Sequence, residues 1–401
     1  MSLAARPAHV LYGGAHLFGE GTPAKLAALA QKAMAEHGAD DARFAELVGA
    51  NTSIASELAA RVRAKLAQRA IEAMCIDFED GYGQRSGAEE DEHADRASSE
   101  LARLARATAT TARPSVGIRI KALSGATHAR GLRTLERFVI TLARAAGGVL
   151  PSDFTVTLPK VSAPAQVSDL ARVLDELESS LAIARGTIGI ELMIETPRAL
   201  YDDRGALALP AMIEATGGRG RAVHLGAYDL TASLGVVGLA QTLDHPACDH
   251  ARTLMTMATA GTGIAVVDGA TNTLPLGERA DVEHGWRVHA EHVTRALGFG
   301  IYEGWDLHPA QLPARYGALF AFFLQSKADV GRRLFGFLDN AARATRVGAA
   351  FDDAATGRGL VAFFQRGLAC GALDEGDLAA AGISPEMLAS SMSLLLVGNV
   401  P

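Results

Sequence analysis

A chain of 401 residues, 49% hydrophobic and 21% charged, with a formal net charge of -7, has the mass to bury a large core and too apolar a composition for disorder. The mild acidity is offset by no basic block, so the chain lacks the electrostatic footprint of a nucleic-acid surface, and no run approaches the ~18 consecutive apolar residues of a membrane helix. Cys75, Cys248 and Cys370 lie far apart with no Cys-x-x-Cys pair, which argues against a disulfide framework or a structural zinc site, and "MSLAARPAHV" lacks the apolar core of a secretory signal. A cytoplasmic protein acting on a small molecule, with no nucleic-acid or membrane partner, is the expectation.

Along the chain, short β-rich runs alternate with longer segments of helical character. The runs are "AHVLYGG" at 8–14, "AMCIDFEDG" at 73–81, "VGIRIKA" at 116–122, "FTVTLPKV" at 154–161, "IGIELMIET" at 188–196, "AVHLGAYDL" at 222–230, "GIAVVDGA" at 263–270 and "GFGIYEGWDLHP" at 298–309. Segments between them, such as "PAKLAALAQKAMAEHG" and "VSDLARVLDELESSLAIAR", repeat apolar residues at three- and four-residue spacing, the pattern of a crossover helix with one face on a sheet. Eight such units predict a closed (β/α)8 TIM barrel over residues 1–311. An open dinucleotide-binding sheet is disfavoured, because "LYGGAHLFGEG" lacks the G-x-G-x-x-G spacing. From 312 to 401 the pattern is helical with no further strand, which predicts a C-terminal extension. The cluster Leu319, Phe320, Phe322 and Phe323 is too apolar for a free tail, so the extension is expected as a lid over the barrel mouth or a subunit contact.

In a parallel barrel the C-terminal strand ends share one face, where active sites sit. Seven of the eight predicted strands end on, or carry near their end, an ionisable group: Glu79 and Asp80, Arg119, Lys160, Glu195, Asp229, Asp268, then Asp306 with His308. Two carboxylates converging on one mouth repel unless a cation lies between them. Magnesium takes one or two carboxylates and keeps open positions for an oxygen-rich substrate, so Glu195 and Asp229, ending adjacent strands, are the candidate ligands. A rim ion pair with Arg198 or Lys160 is the competing reading. Lys160 reads as an electrostatic helper, with an imine-forming role or an ion pair to Glu195 or Asp80 as alternatives. His308 is either a substrate-binding proton shuttle or the cap of a turn, Asp268 either a substrate contact or a turn cap with Gly269, and Cys75 inert core.

The motifs "IDFEDGYG", "GIRIKA", "TLPKV", "IELMIETPRAL", "HLGAYDLTASLG", "IAVVDGATNTLP" and "DLHPAQL" follow the order of those in the HpcH/HpaI aldolase and citrate lyase β-subunit superfamily, which residues 70–311 resemble. The resemblance implies a phosphoenolpyruvate/pyruvate-type barrel, usually oligomeric, that makes or breaks a carbon–carbon bond beside a carbonyl with Mg2+, or Mn2+ in its place. It assigns Glu195 and Asp229 to the metal, Arg119 to the carbonyl or enolate oxygen, and Glu79 and Asp80 to ordering metal-bound water and orienting that arginine. Oxo acids, hydroxy acids and their coenzyme A thioesters are the implied substrates. A free 4-hydroxy-2-oxo-acid aldolase is the near alternative, and a non-catalytic binding barrel the distant one. The Gly-Lys usual before the "LHP" motif is replaced here by "EGWD", which places the chain in a divergent branch and removes one support for coenzyme A binding.

Overall fold

All eight β-rich runs are strands. In the computed structural model, which describes residues 6–107, 113–347 and 354–389, β1 (His9–Gly14), β2 (Ala73–Asp77), β3 (Ser115–Arg119), β4 (Thr155–Leu158), β5 (Gly189–Ile194), β6 (Gly220–Leu225), β7 (Ala265–Asp268) and β8 (Glu303–Asp306) pair in parallel in chain order. The sheet closes where β8 pairs with β1. The strands are shorter than the apolar runs because the chain turns early at the mouth. After Asp77, for instance, the backbone N–H groups of Glu79 and Gly81 donate to the Asp77 carboxylate (2.9 and 2.7 Å), so "FEDG" forms a loop.

The two-residue period of the strands divides the interior into two cores. One set of side chains, including Leu11, Ile76, Ile118, Val156, Ile190, Leu192, Ile194 and Val223, packs outward against the helices. The alternate set, Tyr12, Cys75, Met193, Ala222, Ala265, Val267 and Trp305, meets on the barrel axis. On the outer ring, His128–Ala145 buries Leu135, Phe138, Val139 and Leu142, the three- and four-residue spacing that the stripe requires. Cys75 is a buried free thiol in the axial set. No helix among the described residues is long and apolar enough to cross a membrane.

The C-terminal helices are placed differently from the expectation of a lid. The helix Leu312–Val347 lies in the outer ring beside Ala55–Arg69 and Arg279–Gly298, where the crossover helix after β8 belongs. Its Leu319, Phe320 and Phe323 are buried there. The following helix, Ala354–Cys370, packs on it through Phe363 against Phe323, ring centroids 5.0 Å apart. The Arg366 guanidinium lies over the Tyr302 ring at 4.1 Å, next to the N-terminal start of β8. The described part of the extension therefore packs on the barrel wall and beside its N-terminal end.

What fastens this helix is Asp306, at the end of β8 and fully buried. Its carboxylate accepts from Arg315 Nε and Nη2 (2.7 and 2.9 Å), and His289 Nε2 and His9 Nδ1 lie 3.1 and 3.5 Å away. One carboxylate thus ties β8 to β1 and to two helices. Replacing Asp306 by Asn leaves Arg315 buried without a counter-charge and is expected to destabilise the fold by about 3–5 kcal/mol in denaturant melts. The wild-type melting temperature should also depend on pH. Burial lowers the pKa of His9 and His289 below 6.5, so the unfolded chain binds more protons and stability falls as pH drops through 6.5. Asp306, held low by Arg315 and His289 despite its burial, adds a further loss in the carboxylate range. A melting temperature unchanged between pH 7.5 and 5 would contradict this.

Candidate active site

At the C-terminal mouth, Arg119 ends β3 in the same phase as Gly117, so its side chain enters the axis beside Asp77, its register partner at the end of β2. Both are buried, 3% and 1% exposed. Arg119 Nε and Nη2 donate to the two Asp77 oxygens (2.7 and 2.6 Å), a two-pronged pair that fixes the guanidinium plane. Burial pulls the Arg119 pKa down, but Asp77 more than offsets it, and the net shift is upward. Beneath the guanidinium lie the rings of Tyr12 and Trp305, at 5.2 and 5.9 Å. These rings meet edge to face at 4.6 Å, and Trp305 Nε1 donates to the Leu225 carbonyl (3.1 Å), so the floor of the mouth is rigid.

The orientation of Arg119 corrects the sequence reading, which gave that task to Glu79 and Asp80. Both approach only the third nitrogen, Nη1, at 3.5 and 3.6 Å. Asp77 was missed, although the alternation of "CIDF" places it inward with Cys75. Glu79 and Asp80 instead hold Lys160: its Nζ pairs with Glu79 Oε1 and lies 3.1 Å from Asp80 Oδ1. Of the alternatives for Lys160, the ion pair to Asp80 is present, and the pairing raises its pKa against the effect of burial, the opposite of what an imine-forming lysine needs. The acidic pair is split. Glu79 is pushed up to about 7, first by burial and then by Asp80, whereas Asp80 stays below the ordinary carboxylate value despite its own desolvation, by its hydrogen bond to Glu79 and the charges of Arg119 and Lys160.

Lys160 is one of two non-glycine residues with positive φ among the described residues, at 50°. A left-handed conformation in such a residue costs about 1–3 kcal/mol and persists only where the surroundings enforce it. Here it aims the Lys160 N–H at Glu195 Oε1, 2.5 Å away.

Glu195, one residue past β5 and 2% exposed, continues the inward phase of Glu191 and Met193. Asp229 sits in the first turn of the helix Ala227–Ser233, not at the end of β6. The two carboxylates are electrostatic neighbours: Glu195 is pushed up to about 8, first by burial and then by Asp229. Among the described residues no lysine, arginine or histidine side chain forms an ion pair with either, and Arg198 pairs with Asp203 (2.7 Å), which removes the rim ion pair as an explanation. Nor does any cluster of three or more His, Cys, Asp or Glu side chains suit a metal among these residues. A closed protein cage is thereby absent, while a two-carboxylate site completed by water and substrate fits magnesium.

Two predicted substrate contacts are not brought to this group. Asp268 has the opposite phase to Val267, points outward and is taken by Arg252 (2.8 and 3.1 Å). His308 Nδ1 accepts from the Ala310 N–H (3.1 Å) and caps the turn Pro309–Gln311, the second of its two readings.

A family model described as a domain of unknown function, DUF6986, matches residues 2–394. The chain belongs to the DUF6986 family. No curated protein matches it. Among solved structures, a citrate lyase from Burkholderia xenovorans LB400 is similar, with a TM-score of 0.57 at 18% identity, over 94% of this chain and 96% of that one. RipC from Yersinia pestis matches with a TM-score of 0.44 at 20% identity over 63% of this chain and 91% of that one. A magnesium/glyoxylate complex of Haloferax volcanii malate synthase matches with a TM-score of 0.48 at 14% identity, over 91% and 99%. At such identity the citrate lyase match shows a shared fold.

Close packing at Gly226 holds Glu195 in place. A Cβ there would lie 2.3 Å from Glu195 Cβ and 2.7 Å from its Oε2. Gly226→Ala is expected to displace the Glu195 side chain and destabilise the protein by about 1–3 kcal/mol. Wild-type stability with Glu195 unmoved in a crystal structure of the variant would refute this packing.

Proposed function

We propose that this barrel is a magnesium-dependent carbon–carbon lyase or aldolase that acts through an enolate on a small oxo acid, hydroxy acid or its acyl thioester. The observation that carries the reading is the buried Glu195 with the exposed Asp229 as its electrostatic neighbour, neither paired with a cationic side chain among the described residues, beside a guanidinium locked by Asp77. The ordered motif resemblance to the citrate lyase β and HpcH/HpaI aldolase superfamily supports it, and the citrate lyase match in fold agrees with it.

A bound magnesium ion, held by Glu195 and Asp229, would supply Lewis-acid stabilisation of charge developing on the substrate carbonyl oxygen. Arg119 supplies the protein's share of that stabilisation. With Nε and Nη2 committed to Asp77 and the carboxylates of Glu79 and Asp80 beyond 3.4 Å, Nη1 keeps donors for a substrate oxygen. Its geometry is fixed before substrate arrives, so little reorganisation is needed as charge develops. Glu79, near 7, is the group suited to exchange a proton at neutral pH, and Asp80 stays ionised beside it. Lys160 holds Glu79 through Nζ and Glu195 through its backbone N–H, and so sets the spacing between the proton-transfer carboxylate and the metal-binding one. The exposed Leu234, Val237 and Leu239, on the segment after Asp229, support assembly as a homo-oligomer.

With magnesium, the protein should exchange the methyl protons of pyruvate, or the α-protons of an acetyl or propionyl thioester, with deuterated water, followed by proton NMR against a chelator-treated blank. Glu195→Gln and Arg119→Lys should each slow exchange by roughly 100-fold or more. Absence of exchange with every probe would favour a binding-only barrel, and exchange undiminished in Glu195→Gln would refute the metal assignment. Magnesium binding should depend on pH as well. Glu195, near 8 without metal, must ionise to bind, so affinity should weaken roughly tenfold or more between pH 8.5 and 6.5 by isothermal titration. Affinity that is flat over this range would place the ion elsewhere.

A further inference from the structure

The opposite end of the barrel axis is hollow. Barrels of this class fill the axis with layers of bulky branched side chains. Here the strand starts turn Ala73, Ser115, Gly117, Thr155, Ala222 and Ala265 inward, and a cavity of about 620 Å³ opens among the N-terminal strand ends. That volume lies in the range of small-molecule sites, roughly 300–1,000 Å³. By register, Tyr12, Met193 and Trp305 lie between this cavity and the mouth, so it is a separate compartment.

Acidic and basic side chains both line it, but they are not equally matched. Glu191 and Glu303 both line it. Glu191 accepts from Thr157 Oγ1 (2.9 Å) and lies 3.2 Å from His224 Nε2. The Glu303 carboxylate makes no hydrogen bond or ion pair among the described residues, and burial pushes it up to about 8 against the opposing charges of Arg6 and Arg366, with Glu191 adding to the rise. Arg6 and Arg221 also line the cavity, but their guanidinium N–H groups are engaged by backbone carbonyls. Arg221 donates to the carbonyls of Arg219, Gly220 and Gly186 (3.1, 3.2 and 3.3 Å) and Arg6 to that of Gly263, while Asp153 is neutralised by Arg113 (2.8 Å). Glu303 is thus the acid left without a hydrogen-bond or ion-pair partner among the described residues, in a space that Val10, Ala265 and Val267 also line. An organic cation satisfies both walls: an ammonium group for the carboxylates and a hydrocarbon part for the apolar side.

We propose that the N-terminal cavity is a binding site for a small organic amine, with its ammonium group between Glu191 and Glu303. The site is independent of the reaction proposed for the mouth. The test uses the full-length protein and n-butylamine or putrescine as probes, with sodium chloride at matched ionic strength and n-butanol as controls. The amines should raise the melting temperature saturably and the controls should not. Glu303→Gln should weaken the apparent affinity at least about tenfold, the loss expected when a charge-assisted hydrogen bond is removed. Glu195→Gln, in the mouth, should leave it unchanged. If Glu303→Gln does not fold, Ala265→Leu, which fills the cavity, should abolish the effect in its place. The proposal is overturned by no rise beyond the salt control, by an amine effect retained in Glu303→Gln or Ala265→Leu, or by one lost in Glu195→Gln, which would put the amine in the mouth.

Discussion

The mouth of this barrel depends on one buried ion pair, Asp77 with Arg119. A buried charge is tolerable only when its counter-charge and hydrogen bonds are in place. Asp77 has four donors: two guanidinium nitrogens and the N–H groups of Glu79 and Gly81. The same carboxylate therefore sets the plane of the arginine and the path of the loop that follows β2. That loop places Glu79 and Asp80, these place Lys160, and the backbone of Lys160 places Glu195. Six residues on four strand ends form one dependent series, anchored where two adjacent strands leave the sheet.

Strand phase sorts the acids of this chain by role. Asp268 and Asp306, both last residues of their strands, point outward into the helix layer, where each is consumed by an arginine, Arg252 or Arg315. Asp77, Glu191, Glu195 and Glu303 have the inward phase. Of these, Asp77 has its arginine, Glu191 a single imidazole, and Glu195 and Glu303 no cationic side chain within ion-pair distance among the described residues. Arginine-matched carboxylates between wall and helix hold the fold together, whereas the incompletely matched ones gather along the axis, at its two ends.

This sorting also explains what could be read from the sequence. The strand count and the barrel are legible because β-rich runs and helical stripes have different periods. Glu195 and Arg119 stood out because a charge at the end of an apolar run has no packing reason to be there. Asp77 was passed over because the adjacent "ED" is the more conspicuous feature of "IDFEDG", and Tyr12 because a tyrosine in a strand reads as ordinary core. Asp268 and His308 have the right residue types at strand ends, but phase and a local cap claim them, and a strand end two residues uncertain cannot give phase. The place of the C-terminal helix in the outer ring was not legible for a similar reason. Its apolar face is plain, but only closure of the barrel shows that the eighth wall position stands open for it.

The left-handed backbone at Lys160 has an evolutionary corollary. Glycine and asparagine occupy that region of conformational space with less strain than lysine does, and neither carries an ammonium group. Either could present the same N–H to Glu195 while Glu79 is released. Drift at this codon thus runs downhill in backbone strain while it removes an ion pair from the mouth. A descendant could keep the intact barrel and its carboxylate pair after the link from Lys160 to Glu79 had gone, and purifying selection on foldability alone would never notice the loss.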